Sequence, residues 1–251
     1  MKARSWLLLL GLVGAVSLAW GQDGGISVPS IQIGVGGATG REQLSTSLQI
    51  LALLTVLSVA PAILILTTAF TRIVIVLSLV RTALGTASIP PNQVLVGLSL
   101  FLTFYVMGPT YEEVNRVAIQ PYLAKKDPIS FDEALSRAQE PVKKFMLKNT
   151  YESDLQLFLD LRGQKPANRG ELDILSLVPA FVISELKTAF IVGFYIFLPF
   201  VILDLIVASV LMGMGMMMMP PVVVSLPAKI LVFVLADGWA VVVRTLLSGY
   251  G

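Results

Sequence analysis

Two aspartates stand in apolar surroundings where a carboxylate is costly. Asp204 is flanked by Val201-Ile-Leu and Leu205-Ile-Val, and Asp237 sits in Leu-Ala-Asp-Gly-Trp. A charge at the centre of a spanning helix costs about 2.5–3.5 kcal/mol on insertion scales, so it faces a partner or a water-filled space. Two carboxylates that share a proton can activate water. A hairpin turning between Pro220 and Pro221 would set this pair at equal heights. That chemistry belongs to an intramembrane aspartyl protease or a proton-coupled transporter. The Gly-x-Gly-Asp context of such proteases is absent, and the hydrophobic segments show no internal repeat of the kind transporters carry. The chain also has no cysteine and no histidine. Disulfides, thiolate nucleophiles, Cys/His zinc sites and Ser–His dyads are therefore excluded. The reading is a protein that is not an enzyme, with no cofactor and no metal.

Six of the nine methionines fall within eight positions: Met212, Met214, Met216, Met217, Met218 and Met219, just before Pro220-Pro221. Methionine is unbranched and polarizable and repacks against changing surfaces. Leu, Ile and Val fill every other apolar stretch, so this cluster marks an adaptable seal or contact loop. Interleaved glycines and terminal prolines oppose a plain helix there. Lys229, Asp237 and Arg244 are spaced by eight and seven, an arc of about 80° at 3.6 residues per turn. They predict one polar stripe on the last helix. Glu185 and Lys187 add two more charges to the same apolar region. Glu185 and Lys229 are expected to pair between copies of the chain. In a straight hairpin their heights differ by about 40 Å, and a bridge within one chain would need the helix to break at Pro199.

The elements that position these residues follow from composition. The 251 residues are 55% hydrophobic and 14% charged, against about 25% charged in soluble domains. Residues 109–173 hold 21 of the 34 charges. An ordinary soluble enzyme, a disordered chain and a nucleic-acid-coating chain are all excluded. Residues 1–21 read as a secretory signal peptide, with Lys2 and Arg4, an apolar Trp6–Leu18 and the small-x-small site Ala19-Trp20-Gly21. Glycine-rich residues 22–44 read as a flexible periplasmic leader.

Residues 45–108 form a first hydrophobic hairpin. Leu48–Phe70 is one arm, with Pro61 as a kink, and Asn92–Met107 is the other. Arg72 and Arg81 lie on the short connection, which positive-inside bias assigns to the cytoplasm as two anchors. Residues 109–173 form a small polar helical domain on the periplasmic side. There Phe131, Ala134, Leu135 and Ala138 recur at helical spacing. Ser130 and Glu133 form a capping-box pattern, and Leu155, Phe158 and Leu159 predict a further short helix. Residues 174–251 form a second hairpin that carries the methionine loop. The expected fold is an all-α membrane protein: two helical hairpins, about four hydrophobic helices, flanking the polar domain.

Three stretches resemble a known family: Thr71-Arg-Ile-Val-Ile-Val-Leu-Ser-Leu-Val-Arg81, Pro179-Ala-Phe-Val-Ile-Ser-Glu-Leu-Lys-Thr-Ala-Phe190, and Met216-Met-Met-Met-Pro-Pro-Val-Val-Val-Ser-Leu-Pro-Ala-Lys-Ile230. Over about residues 45–250 the chain resembles the FliP family of the bacterial flagellar type III export apparatus. The resemblance implies a helical export gate built from several copies of the chain with FliQ, FliR and other export-apparatus membrane proteins. That gate would be multi-pass in the bacterial cytoplasmic (inner) membrane, at the flagellar basal body, among lipid and without nucleic acid. Unfolded flagellar subunits would pass through its pore. The methionine cluster then matches the family's constriction, and Ser184-Glu185-Leu-Lys187 and Ala228-Lys229 match its charged sites. The resemblance also implies a gate seated higher toward the periplasm than hydropathy suggests. Injectisome homologues of virulence secretion are the alternative. They generally lack a cleaved signal peptide, so residues 1–21 favour the flagellar branch.

Overall fold

The computed structural model describes residues 40–250 except 87, 164–171 and 217, with side chains described from Leu48 onward. The signal peptide (1–21) and most of the leader lie outside the described residues. Among the described residues the fold is entirely helical, without strands. Three helices are long and apolar enough to cross a membrane, and a bent pair makes a fourth if it counts as one span.

Helix α1 (Gly40–Leu66) runs through Pro61, so that proline sits inside the helix, as expected. No side chain in its apolar stretch Leu48–Leu66 is buried. The Thr67 hydroxyl donates to the Ile63 carbonyl at 2.9 Å and that of Thr68 to Ile65 at 3.2 Å. These bonds satisfy carbonyls freed at the helix end, and the chain turns at Ala69.

The expected short connection is itself a helix, α2 (Phe70–Ala83). Its buried residues Arg72, Ile73, Val76, Leu77, Val80 and Ala83 form a broad stripe packed between two longer helices. The run Ile73–Val80 is apolar at almost every position because this helix is covered on more than one side. Arg72 and Arg81 therefore mark the two ends of a core helix. Arg72, expected on a loop, is instead 4% exposed on a core helix. Arg81 is partly exposed, and its guanidinium reaches Asn92 Oδ1 at 2.5 Å, across the turn to the next helix.

Helix α3 (Asn92–Val114) runs through Pro109, beyond the expected stop, into a π-helical turn (Asn115–Ile119) and a final helical turn (Gln120–Tyr122). Its buried side chains Leu95, Ser99, Thr103 and Met107 recur every four residues. Ser99 and Thr103 donate to the carbonyls of Leu95 and Ser99 at 2.7 and 2.6 Å. Each hydroxyl is satisfied by its own helix, which lets a small polar side chain sit in an apolar contact.

In the polar segment, α4 (Phe131–Lys148) starts as expected. Ser130 Oγ accepts from the Glu133 amide at 3.2 Å, and the Glu133 carboxylate takes Arg137 at 2.6 Å. Helix α5 (Glu152–Leu161) buries Asp154 and Leu155. Both rest on the start of α6 (Ile174–Gly213), a continuous helix of 40 residues. Met146, Leu155, Leu172, Leu177, Ala180 and Phe181 form their common core. The first turns of α6 thus belong to the polar domain, and the rest crosses the apolar region. At 1.5 Å rise per residue the helix is about 60 Å long. It stays intact through Pro179 and Pro199. Midway, α2 crosses it so closely that a Cβ on Gly193 would lie 2.2 Å from Leu79 Cδ1. Only glycine fits there.

The second arm of the last hairpin is broken. Helix α7 (Pro221–Leu235) and α8 (Gly238–Ser248) are bent by 64°. Asp237, at φ 49°, occupies the left-handed region between them. The expected stripe of Lys229, Asp237 and Arg244 on one helix does not exist. Lys229 is buried on α7, while Asp237 and Arg244 are exposed at the bend and on α8.

Candidate functional site: three ion pairs and a methionine loop along one helix

Helix α6 carries three polar stations, and each binds a different part of the fold. The first is Glu185, fully buried in the fourth turn of the helix. Arg72, on the first turn of α2, grips both of its oxygens, with Nε to Oε2 at 3.0 Å and Nη2 on Oε1. Arg72 Nη1 also donates to the Gly249 carbonyl at 3.1 Å. The Tyr250 hydroxyl donates to Glu185 Oε2 at 2.6 Å, while the Tyr250 ring lies 3.9 Å under the Arg72 guanidinium. Phe145 of α4 stacks on the far face of the site, 6.0 Å from the Tyr250 ring centre. Burial, and then the adjacent Glu185 carboxylate, push the Tyr250 hydroxyl above its usual range, so it remains a donor.

This arrangement meets the condition for burying charge. The two ions are bidentate, and the remaining polar atoms have partners. Within one chain Glu185 takes Arg72 and Tyr250 rather than Lys229. The reason is geometric. The helix does not break at Pro199, so Lys229 is never brought to the height of Glu185.

The second station lies within one turn of the first. The Ser184 hydroxyl accepts from the Tyr151 amide at 2.9 Å and donates to Asp154 Oδ2 at 2.8 Å. Lys187 pairs with Asp154 Oδ1, and the carboxylate is almost fully buried. Thus Glu185 fastens α6 to α2, and Ser184 and Lys187 fasten it to α5.

The third station lies 19 residues further on, about 28 Å along the helix axis. Asp204 Oδ2 accepts from Lys229 Nζ at 2.7 Å, and its other oxygen takes the Ser225 hydroxyl. Lys229 is 3% exposed and Ser225 is fully buried. Asp204 and Asp237 do not form a carboxylate pair. Asp204 is committed to α7, and Asp237 faces outward.

Beyond the third station α6 ends in a paired backbone cap. The Gly215 amide donates to the Met212 carbonyl at 3.0 Å and the Met216 amide to Leu211 at 2.9 Å, with Gly215 at φ 76°. This left-handed C-terminal motif needs glycine at its turning residue. It delivers the methionine loop to the surface. Met212 and Met214 are exposed, Met216 and Met219 less so, and Met218 is 100% exposed; Met217 lies outside the described residues. Among the described residues no cluster of acidic side chains could hold a metal ion.

Tyr250, Asp154 and Ser225 are the functional candidates that sequence reasoning missed. Tyr250 follows the last apolar run with nothing local to mark it, and Asp154 is one of eleven acidic residues between 109 and 173. Arg72 was visible as a charge beside an eight-residue apolar run, Ile73–Val80.

Known proteins resemble this chain over most of its length. The model of the FliP family matches residues 53–246. The flagellar biosynthetic protein FliP of Bacillus subtilis is 57% identical over 210 residues, covering 83% of this chain and 94% of that protein. Its counterpart in Pectobacterium carotovorum is 46% identical over 253 residues, covering the whole of this chain and 94% of the relative. That of Cereibacter sphaeroides is 48% identical over 88% of this chain and 73% of the relative. The matched residues contain all three stations apart from Gly249 and Tyr250, and the whole methionine loop, and the chain belongs to the FliP family.

Proposed function

We propose that this chain is a subunit of the flagellar type III protein export gate. Several copies assemble with FliQ and FliR in the bacterial cytoplasmic membrane around a pore for unfolded flagellar subunits. Family membership supports a role in flagellar biosynthesis. The observation that carries the pore reading is the methionine loop. A 40-residue helix, fastened at its start to the polar domain, ends in a capped turn that presents exposed methionines. Soft, unbranched side chains fill irregular gaps and tolerate changing partners. Such a ring closes on itself at rest and yields to any passing sequence.

Large apolar surfaces also remain uncovered, among them Phe101, Phe104 and Tyr105 on α3 and Phe194 and Tyr195 on α6. Patches of this size mark contact with lipid or with neighbouring subunits. Both belong to an oligomeric membrane gate.

Replacing Met216–Met219 with glycine tests the reading. Assembly with FliQ and FliR is expected to persist, while ion conductance of the purified complex in a planar bilayer rises. A correctly assembled variant with unchanged conductance would remove the loop from the seal.

A further inference from the structure

Six charged residues lie between 174 and 251, and the fold pairs four of them inside one chain: Glu185 with Arg72, Lys187 with Asp154, and Asp204 with Lys229. Asp237 and Arg244 are left over. Both are exposed, and neither side chain has a hydrogen bond or ion pair among the described residues. Asp237 stands midway along the last arm, sixteen residues after Pro221 and thirteen before Tyr250. The exposed side chains around it, Val234, Leu235 and Val241, are apolar. A carboxylate on so short a stem cannot stretch to a membrane surface as a long Arg or Lys does, so it needs a partner where it stands.

The carboxylate is also held in place. Asp237 has φ 49°, in the left-handed region that Asp tolerates. A Cβ on Gly238 would lie 2.2 Å from Phe233 Cδ2, and the Trp239 ring meets Phe233 edge-on at 5.4 Å. The bend is packed, which fixes the direction of α8. Along that helix Asp237, Val241, Arg244 and Ser248 are all exposed and are spaced four, three and four. They fall within about 60° at 3.6 residues per turn, with the spacing of a seam between two packed helices. Gly238, Val242 and Leu246 fill the other side, within the chain's own core. The seam thus carries one charge of each sign, about 10 Å apart along the axis. It is complementary to itself.

Copies inserted in one membrane share one orientation, so neighbouring seams run parallel. Level seams would set like charges against each other. Seams displaced by up to about 10 Å along the axis set the carboxylate of one against the guanidinium of the other. We infer that α8 is a docking surface for a second copy of this chain, in which Asp237 of one copy bonds Arg244 of the next in a staggered, head-to-tail contact. The inference rests on the reading that several copies build the gate.

The chain has no native cysteine, so disulfide trapping is a direct test. Asp237→Cys combined with Arg244→Cys is co-expressed with FliQ and FliR, and membranes are oxidised with copper–phenanthroline. A disulfide needs Cα atoms within about 7 Å, so two sites about 10 Å apart on one helix cannot join inside one chain. The expected product is a ladder of covalent dimers, trimers and larger multiples of this chain, with no ladder from either single cysteine variant. Efficient dimers from a single variant would put like residues face to face and overturn the stagger. Adducts with FliQ or FliR alone would give the seam to another partner and overturn the inference. A charge reversal keeps the test open if the cysteine pair does not assemble. Asp237→Arg or Arg244→Asp alone should lower recovery of the full-mass complex about tenfold or more, and the double reversal should restore most of it. A double reversal no better than the worse single sinks the pairing. A parent chain that yields no multi-copy complex removes the gate reading and the pairing together, whereas a parent that assembles while the assembled cysteine pair gives no ladder removes the pairing alone.

Discussion

At the scale of residues, the chain tolerates buried charge only where it is fully partnered. Glu185 accepts from Arg72 and Tyr250, and no buried side-chain nitrogen or oxygen among the described residues lacks a partner. Removing one member strands the other, at a cost of about 3–5 kcal/mol. Arg72→Met or Glu185→Leu alone should therefore lower the thermal midpoint of the detergent-purified protein sharply. The double variant should be less damaging than either single change, since no charge is left stranded. A double variant as unstable as the two losses combined would mean that the ions have further partners. Tyr250→Phe isolates the hydroxyl. It keeps the ring beneath Arg72 but loses a bond to a charged acceptor, worth about 1.5–3 kcal/mol. Tyr250→Ala should cost more, because the stacking on Arg72 and Phe145 goes as well.

At the scale of elements, close packing of α2 on α6 is the contact on which the apolar core depends. Gly193→Val would drive a branched side chain into Leu79 and cost about 1–3 kcal/mol by overpacking, read as a lower thermal midpoint. Adding Leu79→Ala should recover part of the loss, and no recovery would place the strain elsewhere. Much of this architecture was legible in sequence. The capped start of α4, the short α5, the apolar arms and the end of the last long helix before Pro220 follow from local pattern and turn chemistry.

What escaped is tertiary in origin. Arg72 and Arg81 looked like loop residues because charges usually face water. Here a partner 113 positions away in the chain supplies the compensation for Arg72. Pro109 and Pro199 looked like possible breaks, yet each lies inside a continuous helix. The bend at Asp237 was invisible because an isolated Asp-Gly within an apolar run reads equally well as a polar stripe. The three charges Lys229, Asp237 and Arg244 were placed on one face by periodicity alone, and periodicity holds only while the helix does.

At the scale of the whole molecule, α6 joins two environments. Its start is packed into a charged helical domain and its end carries the methionine loop, with one clamp near each. The orientation no longer draws support from Arg72 and Arg81 as a loop. It rests on the signal-peptide reading, which places the polar domain outside. The parent has no cysteine, so Lys126→Cys, at an exposed position in the polar segment, should react with a membrane-impermeant maleimide in intact spheroplasts. Labelling only after the membrane is opened would reverse the orientation. The central claim, that the chain is a gate subunit, meets its most direct test in the intact mass of the complex purified after co-expression with FliQ and FliR. The account predicts one discrete assembly containing several copies of this chain together with both partners. Recovery of the chain as a lone monomer, with FliQ and FliR fully separated from it, would contradict the account.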